Sequence, residues 1–394
     1  MKGKLLIDKF LDLIEKSSCV LGLSGDDSGK FAEFSRIDFR TKGICVRSVS
    51  SIASSMAYYV FNDSGESIDE DKSISLSSIK LKSMLKNLPK DSFVELIFED
   101  KKDKDDVDSI GTMIFKCGKT SWKMPCCVAS LIQEVKVVGG EKCFSIDKDT
   151  FLNAFTSVAY AGNISDANFI LCNVCVSVLG NNLYFGATDD IRCSTFKVGN
   201  TTCLGDRRFL LPIQFFPKIL KPYDKGEVDV FCDKNFVRLN QANFSIKLSL
   251  PNGSDSDSFP KFESIVDKAY PFKVNIMASK LRTMISSCVD VNKEECLLKI
   301  NDDNVNIYSC DNYGKMSYHS NIQSTGDKVN IIMAICSIYF YEFLKKVKEE
   351  VVALEFYADS GKIKSIKITD GANQCYIMKA LIDISFNPES LSND

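Results

Sequence analysis

Residues 181–198 read NNLYFGATDDIRCSTFKV. An Asn-Asn turn signal leads into strand formers, Leu183-Tyr184-Phe185, and the run ends in Thr188, Asp189, Asp190 and Arg192. Two adjacent carboxylates and an arginine at a strand end suit three roles. They can make an acid–base or Mg²⁺ centre, a solvated turn held by its own Asp–Arg pair, or a ledge where another molecule docks. The pattern around them occurs twice more. "KGICVRSVSS" (42–51) and "DNVNIYSCDN" (303–312) echo "NNLYFGATDD" (181–190), each a turn dipeptide followed by alternating apolar residues.

Around these echoes the chain repeats one plan. Helix-period stretches at 5–18, 150–160 and 278–288 open each unit, and a strand pair follows. A second helix-period stretch comes at 75–91, 211–223 and 333–350, and strands close the unit. The connectors "VKVVGGEK" (135–142) and "VDKAYPFK" (266–273) divide the chain into three domains, 1–138, 139–269 and 270–394. Strand pairs alternating with single helices predict an α+β fold with antiparallel sheets. "NDSGESIDEDKS" (62–73) and "EDKKDKDDVDS" (99–109) are charged and poor in apolar residues, so they read as solvated loops.

Composition narrows the function classes. With 45% hydrophobic and 26% charged residues, the chain reads as soluble and globular. A net charge of −3 leaves room for a local basic surface, which is what attracts phosphate. The N-terminal stretch carries Asp8, Asp12 and Glu15 among its apolar positions, so it reads as an amphipathic helix rather than a signal peptide. No run of eighteen apolar residues occurs, so no membrane is expected and the location reads as cytoplasmic. The sixteen cysteines, among them Cys45, Cys232, Cys296 and Cys310 in apolar runs, read as reduced thiols acting as small hydrophobes. The single histidine, His319, weakens most metalloenzyme, Ser-His and Cys-His readings. "CNVC" (172–175) has the spacing of a zinc half-site, but in an extended strand positions three apart point to opposite faces. No catalytic residue, metal or cofactor is assigned.

Three repeats with these local sequences resemble the bacterial sliding clamp, the β subunit of DNA polymerase III, over nearly the whole chain. "GATDDIRCS" (186–194) looks like the family's ATDGHRLA, "SFPKFESIV" (258–266) is similar to its FPDYRRV, and "QCYIMKAL" (374–381) corresponds to its closing YVVMPMRL. The resemblance implies three clamp-type domains, with antiparallel sheets outside and two helices each inside. It implies a head-to-tail homodimer that closes into a ring and slides on double-stranded DNA without reading sequence. Such a processivity factor is opened by a clamp loader and tethers the replicative polymerase.

The resemblance also implies a pocket for short peptides where the three stretches converge. Its residues here are Thr188, Asp190, Ile191, Arg192 and Cys193, then Pro260, Ser264 and Ile265, then Tyr376, Ile377, Met378, Lys379 and Ala380, with Leu171 and Cys172 as a further wall. The chain departs from the family where Gly-His becomes Asp190-Ile191, where the arginine pair becomes Glu263-Ser264, and where Met-Pro-Met becomes Met378-Lys379-Ala380 before the chain runs on to Asp394. Such divergence suits a phage or mobile-element member with its own peptide preference.

The lysines add a charge pattern. Lys9 and Lys16, then Lys80, Lys82 and Lys86, Lys218 and Lys221, Lys280 and Arg282, and Lys345, Lys346 and Lys348 fall on helix-period stretches, while acids gather in loops. That partition suits a positive hole and phosphate contacts that carry no sequence information. Between copies, exposed strand edges of the first and third domains are expected to pair, with Met84–Leu88 and Ser286–Cys288 packing there. The alternatives are a repeat scaffold that binds proteins but no DNA, and a Mg²⁺-dependent enzyme using Asp189 and Asp190.

Overall fold

The structure, a computed structural model, describes residues 1–23, 32–62, 65–101, 109–132, 136–164, 168–199, 201–250, 255–266, 268, 270–301, 304–311, 314–321, 323–324, 330–359, 362–371 and 374–381. Most of the acidic stretch 99–109, one or two residues of each connector, the Ile265 side chain and everything after Leu381 lie outside this set. The chain is α+β with antiparallel sheets, and it forms two compact units, Met1–Leu152 with Phe215–Ser254, and Asn153–Gln214 with Asp255–Asp394. Each expected helical stretch holds a helix: Ile7–Ser18, Ser78–Lys86, Lys148–Ala159, Phe216–Leu220, Ala278–Val291 and Ser337–Leu344. Among the described residues no helix is long and apolar enough to cross a membrane.

Four of the six helices are shorter than their periodic stretches, and a strand passes directly into four of the six. Lys2–Leu6 passes directly into Ile7–Ser18, and Lys72–Ser77 into Ser78–Lys86. No Gly or Pro separates them, so the change of period from two to 3.6 is silent in the sequence. Ile7–Ser18 then buries Ile7, Phe10, Leu11 and Ile14, the stripe that a core-facing helix needs. The loop read as solvated at 62–73 also departs from expectation. Ser67–Ile68 pairs with Lys2–Leu6, and Ile68 is buried over Gly3, where a Cβ would meet its side chain at 2.4 Å.

The strands group into four-stranded ladders that can be followed along the three sequence repeats. The first repeat gives the ladder Ala53–Val60, Gly43–Val49, Phe34–Arg40, Lys72–Ser77 and the ladder Lys2–Leu6, Phe93–Asp100, Ser109–Cys117, Thr120–Val128. The second gives Arg192–Val198, Asn182–Thr188, Asn173–Leu179, Arg207–Pro212 and Glu141–Asp147, Glu227–Asp233, Phe236–Gln241, Phe244–Ser249. The third gives Lys315–Asn321, Asn304–Cys310, Cys296–Asn301, Asn330–Ile335 and Phe272–Met277, Val351–Asp359, Lys362–Asp370, Gln374–Lys379. The middle repeat is shared between the units. Phe244–Ser249 joins Ala53–Val60 in the first, and Arg192–Val198 joins Gln374–Lys379 in the second.

Candidate functional site

The three stretches singled out in the sequence meet in the second unit. Arg192 lies opposite Met378, Cys193 opposite Ile377 and Ser194 opposite Tyr376, and the Lys379 amide donates to the Ile191 carbonyl. The third stretch reaches the same sheet from its other face. Phe259 and Phe262 cluster with Cys175, Tyr184 and Leu210, and Cys193 and Ile170 pack against them. Gly186 makes this possible, because a Cβ there would sit 2.7 Å from the Phe262 ring. Two-sided cover explains why Asn173–Leu179 is buried almost throughout rather than alternating.

The turn that joins the strands is tied by its own side chains. Thr188 Oγ1 donates to the Arg192 carbonyl and accepts from the Asp190 amide, while Asp189 Oδ1 accepts from the amides of Ile191 and Arg192. Asp190 has φ 72°, in the left-handed region that glycine enters most easily and Asp tolerates better than most residues. That position is the glycine of the family pattern, so Asp190 keeps the turn and adds an exposed carboxylate. Ile191 stands 41% exposed at the tip.

Arg192 is the centre of the buried face. Its Nε donates to Asp189 at 3.1 Å, its Nη1 to Glu342, and its guanidinium lies 3.8 Å from the Tyr339 ring centroid. Burial pulls the guanidinium pKa down, but Glu342 and Asp189 outweigh that and hold it above its ordinary value. Tyr376 stacks between Tyr160 and Phe343, at 6.4 and 4.5 Å between ring centroids, and burial pushes its hydroxyl well above the usual phenol range. Tyr160, Tyr339, Glu342 and Phe343 complete this face, and their separations in sequence gave no local signal for it.

These placements sort the expected pocket residues. Tyr376 and Met378 are fully buried and support the strand from beneath; neither offers surface. Leu171, Thr188 and Arg192 are also buried, and Ile377 nearly so. Asp190, Ile191, Pro260, Ser264 and Lys379 are exposed, and Cys172, Cys193 and Ala380 are half-buried. The carboxylate pair shows no hydrolytic geometry, since Asp189 is tied to Arg192 and two amides. Cys172 closes a short 3₁₀ turn, Phe169–Cys172, while Cys175 is buried in the next strand, where burial pushes its thiol up to about 12. Among the described residues no group of three His, Cys, Asp or Glu suits a metal ion.

The basic residues sort as well. Lys9, Lys80, Lys86, Lys218, Lys221, Lys280, Lys345, Lys346 and Lys348 are exposed and Lys82 is half-buried, with Lys82 and Lys86 both near Glu15. Lys16 departs from expectation. It is 5% exposed, with its ammonium 3.0 Å from Asp12 and 2.9 Å from Asp224, so its charge is spent inside the fold. Arg282 caps the last turn of Ser337–Leu344 through the Leu344 and Val347 carbonyls. Leu85 and Cys288, expected between copies, are fully buried within their own units and cannot pack against a second chain.

No protein-family model matches the chain, and no curated sequence does. Solved structures do match. The DNA polymerase III subunit β from Pseudomonas aeruginosa superposes with a TM-score of 0.79 at 15% identity, covering 97% of this chain and 100% of that one. The Caulobacter crescentus pol III β gives 0.80 at 12% identity, and the Thermotoga maritima β subunit 0.75 at 16%, each over 97% of this chain and 100% of the other. The chain has the fold of the DNA polymerase III β sliding clamp, in a sequence far diverged from these three.

Proposed function

We propose that the protein is a DNA sliding clamp. Two copies close head to tail into a ring around duplex DNA, and the ring tethers a replicative polymerase through a docking site for short peptides. Each copy supplies three clamp domains, 1–138, 139–269 and 270–394. The ring does no chemistry; closure prevents escape and loose contact with phosphate allows sliding.

The observation that carries this reading is a strand junction made twice with one register. Phe244 follows a hairpin turn opposite Gln241 and pairs with Ala57, the hairpin mate of Val46. Gln374 follows the turn opposite Asp370 and pairs with Phe196, the mate of Phe185. Val46 and Phe185 are each the fifth residue of a quoted echo; the fifth residue of the other echo is Ile307, whose mate is Tyr318. Thr120, opposite Cys117, is the remaining post-turn residue. Among the described residues Lys315–Asn321 has no partner on its outer side, and neither does Thr120–Met124. The same register between copies sets Thr120 opposite Tyr318 and Trp122 opposite Met316. Trp122, the sole tryptophan, stacks on Phe115, and its Nε1–H is buried without an acceptor among the described residues, a want that an approaching chain can satisfy.

The exposed lysines on the helices and, as with Lys221, Lys345, Lys346 and Lys348, just beyond their ends, together with Lys82, supply the DNA-facing charge; Lys16 and Arg282 are left out because they serve the fold. Ile191, Cys193, Pro260, Ser264, Lys379 and Ala380 supply the peptide site, with Asp190 and Lys379 favouring a peptide that carries charge of both signs. Salt-dependent binding to linear duplex tests the DNA part. Affinity is expected to be weak, indifferent to sequence and steeply salt-dependent, with removal of one lysine lowering the salt slope by about one or less. Replacing Lys218, Lys221, Lys345 and Lys346 together should flatten the dependence and leave the dimer intact. A dimer with no salt-dependent affinity for duplex would instead be a protein scaffold.

A further inference from the structure

Cys143 and Cys232 meet across the strand pair Glu141–Asp147 and Glu227–Asp233, with their Sγ atoms 2.8 Å apart. We propose that this pair is an oxidation site, where a hydroperoxide joins the two thiols in a disulfide that clips the first strand to the second. This inference does not rest on the clamp reading.

A β-bulge brings the thiols together. Lys142 lies opposite Phe231 and Phe144 opposite Val230, so Cys143 is an extra residue between them. In a strictly alternating strand the neighbour of Phe144 would point to the other face. The bulge re-aims it, and Cys143 is buried beside Phe144 on the inward face. Cys232 shares that face with Val228 and Val230, while Phe231 turns outward beneath Arg238. The Cys143 thiol also donates to the Glu141 carbonyl at 3.5 Å. The two sulfurs lie within about 1 Å of the covalent S–S length of ~2.05 Å, so small side-chain rotations close the bond.

Access follows from position. Glu141–Asp147 stands at the end of its sheet, so among the described residues it is paired on one side only. An edge strand opens at lower cost than an inner one. Cys232, 7% exposed, is the more open of the two thiols. Cys288 and Cys296 also share a hydrogen bond, but both are fully buried in the core around Phe340 and Phe343, which keeps oxidants from them.

The chemistry balances in two steps. The Cys232 thiolate attacks one peroxide oxygen, the O–O bond breaks, and the other oxygen leaves with the thiol's proton, as water when the oxidant is hydrogen peroxide. Cys232 is then a sulfenic acid. The Cys143 sulfur attacks the Cys232 sulfur, the S–O bond breaks, and the hydroxyl leaves as a second water with the Cys143 proton. Two electrons pass from sulfur to the peroxide.

Peptide mapping of the full chain tests the site. The chain is treated with hydrogen peroxide, its remaining thiols are blocked with iodoacetamide in denaturant, and the digest is read by mass spectrometry. The Cys143 peptide should appear joined to the Cys232 peptide, at least about tenfold above the untreated chain, and the link should disappear with dithiothreitol. The exposed Met277 reports the dose through its sulfoxide. In Cys143→Ser, whose hydroxyl can keep the bond to Glu141, the link should vanish and Cys232 should accumulate as its sulfenic and sulfinic acids. A parent chain whose Met277 is oxidised while Cys143 and Cys232 stay unlinked, or in which either joins a different cysteine, overturns the proposal. That reading is made on the parent, so it stands even if the variant does not fold.

Discussion

Arg192–Val198 and Lys315–Asn321 occupy the same place in the repeated plan, each the last strand of its ladder after a hairpin, yet they end differently. Arg192–Val198 is paired on both sides, with Gln374–Lys379 completing it, and its residues are buried or half-buried, none exposed. Among the described residues Lys315–Asn321 is paired on one side only, and its residues alternate between exposed and half-buried. An unpaired edge with half-buried Met316 and Tyr318 on one face is poorly protected against pairing. The difference teaches that one chain carries two finished junctions and, among the described residues, an equivalent strand left paired on one side.

Breaking a finished junction should have the largest effect. Thr195→Pro removes a ladder bond from a strand paired on both sides, and should cost the second unit about 3 kcal/mol or more in urea unfolding. Met316→Lys on the open edge should leave the unfolding of the single chain within about 0.5 kcal/mol, since the site is half-buried there. Equal losses at the two positions would erase the distinction.

Gly186→Ala probes how the finished junction is covered. The added methyl meets the Phe262 ring, and a loss of about 1–3 kcal/mol is expected. In a Phe262→Ala background the loss should shrink, which a double-mutant cycle measures.

The first unit should be the more acid-sensitive partner. Burial raises the Asp38 carboxyl, but hydrogen bonds from Ser73 and Arg36 and the charges of Arg47 and Arg36 outweigh it, so its pKa lies below the ordinary value. A depressed carboxylate adds stability above its unfolded pKa of about 3.9, and loses it as pH falls through the folded value. Urea midpoints taken between pH 6 and 3 should therefore fall below pH ~4, and fall less in Asp38→Asn. A midpoint independent of pH in the parent would remove this contribution.

The smallest effect is expected at the turn tip. Asp190→Gly relieves a left-handed backbone and gains at most about 1 kcal/mol, while Asp190→Val should lose a comparable amount.

Much of this was legible in the sequence. The echoes at 42–51, 181–190 and 303–312 each became the second strand of a hairpin, and the six helices lie where the 3.6-residue period placed them. Strands such as Lys2–Leu6 were hidden because they pass into helices without punctuation. The site was legible in part. The three stretches do converge, but a sequence match does not say which side of a strand faces solvent. Period two sends Tyr376 and Met378 inward and leaves Lys379 out. Lys16 and Leu85 show the same limit, since only their neighbours Asp224 and the core reveal that they are engaged.

Sedimentation velocity on the parent chain and on Met316→Lys tests the ring most directly. The parent should sediment as a dimer at micromolar concentration, with the Trp122 fluorescence shifting as dilution separates the copies, and Met316→Lys should sediment as a folded monomer. A parent that is monomeric at those concentrations, or a Met316→Lys variant that remains a dimer, would contradict closure through these two edges.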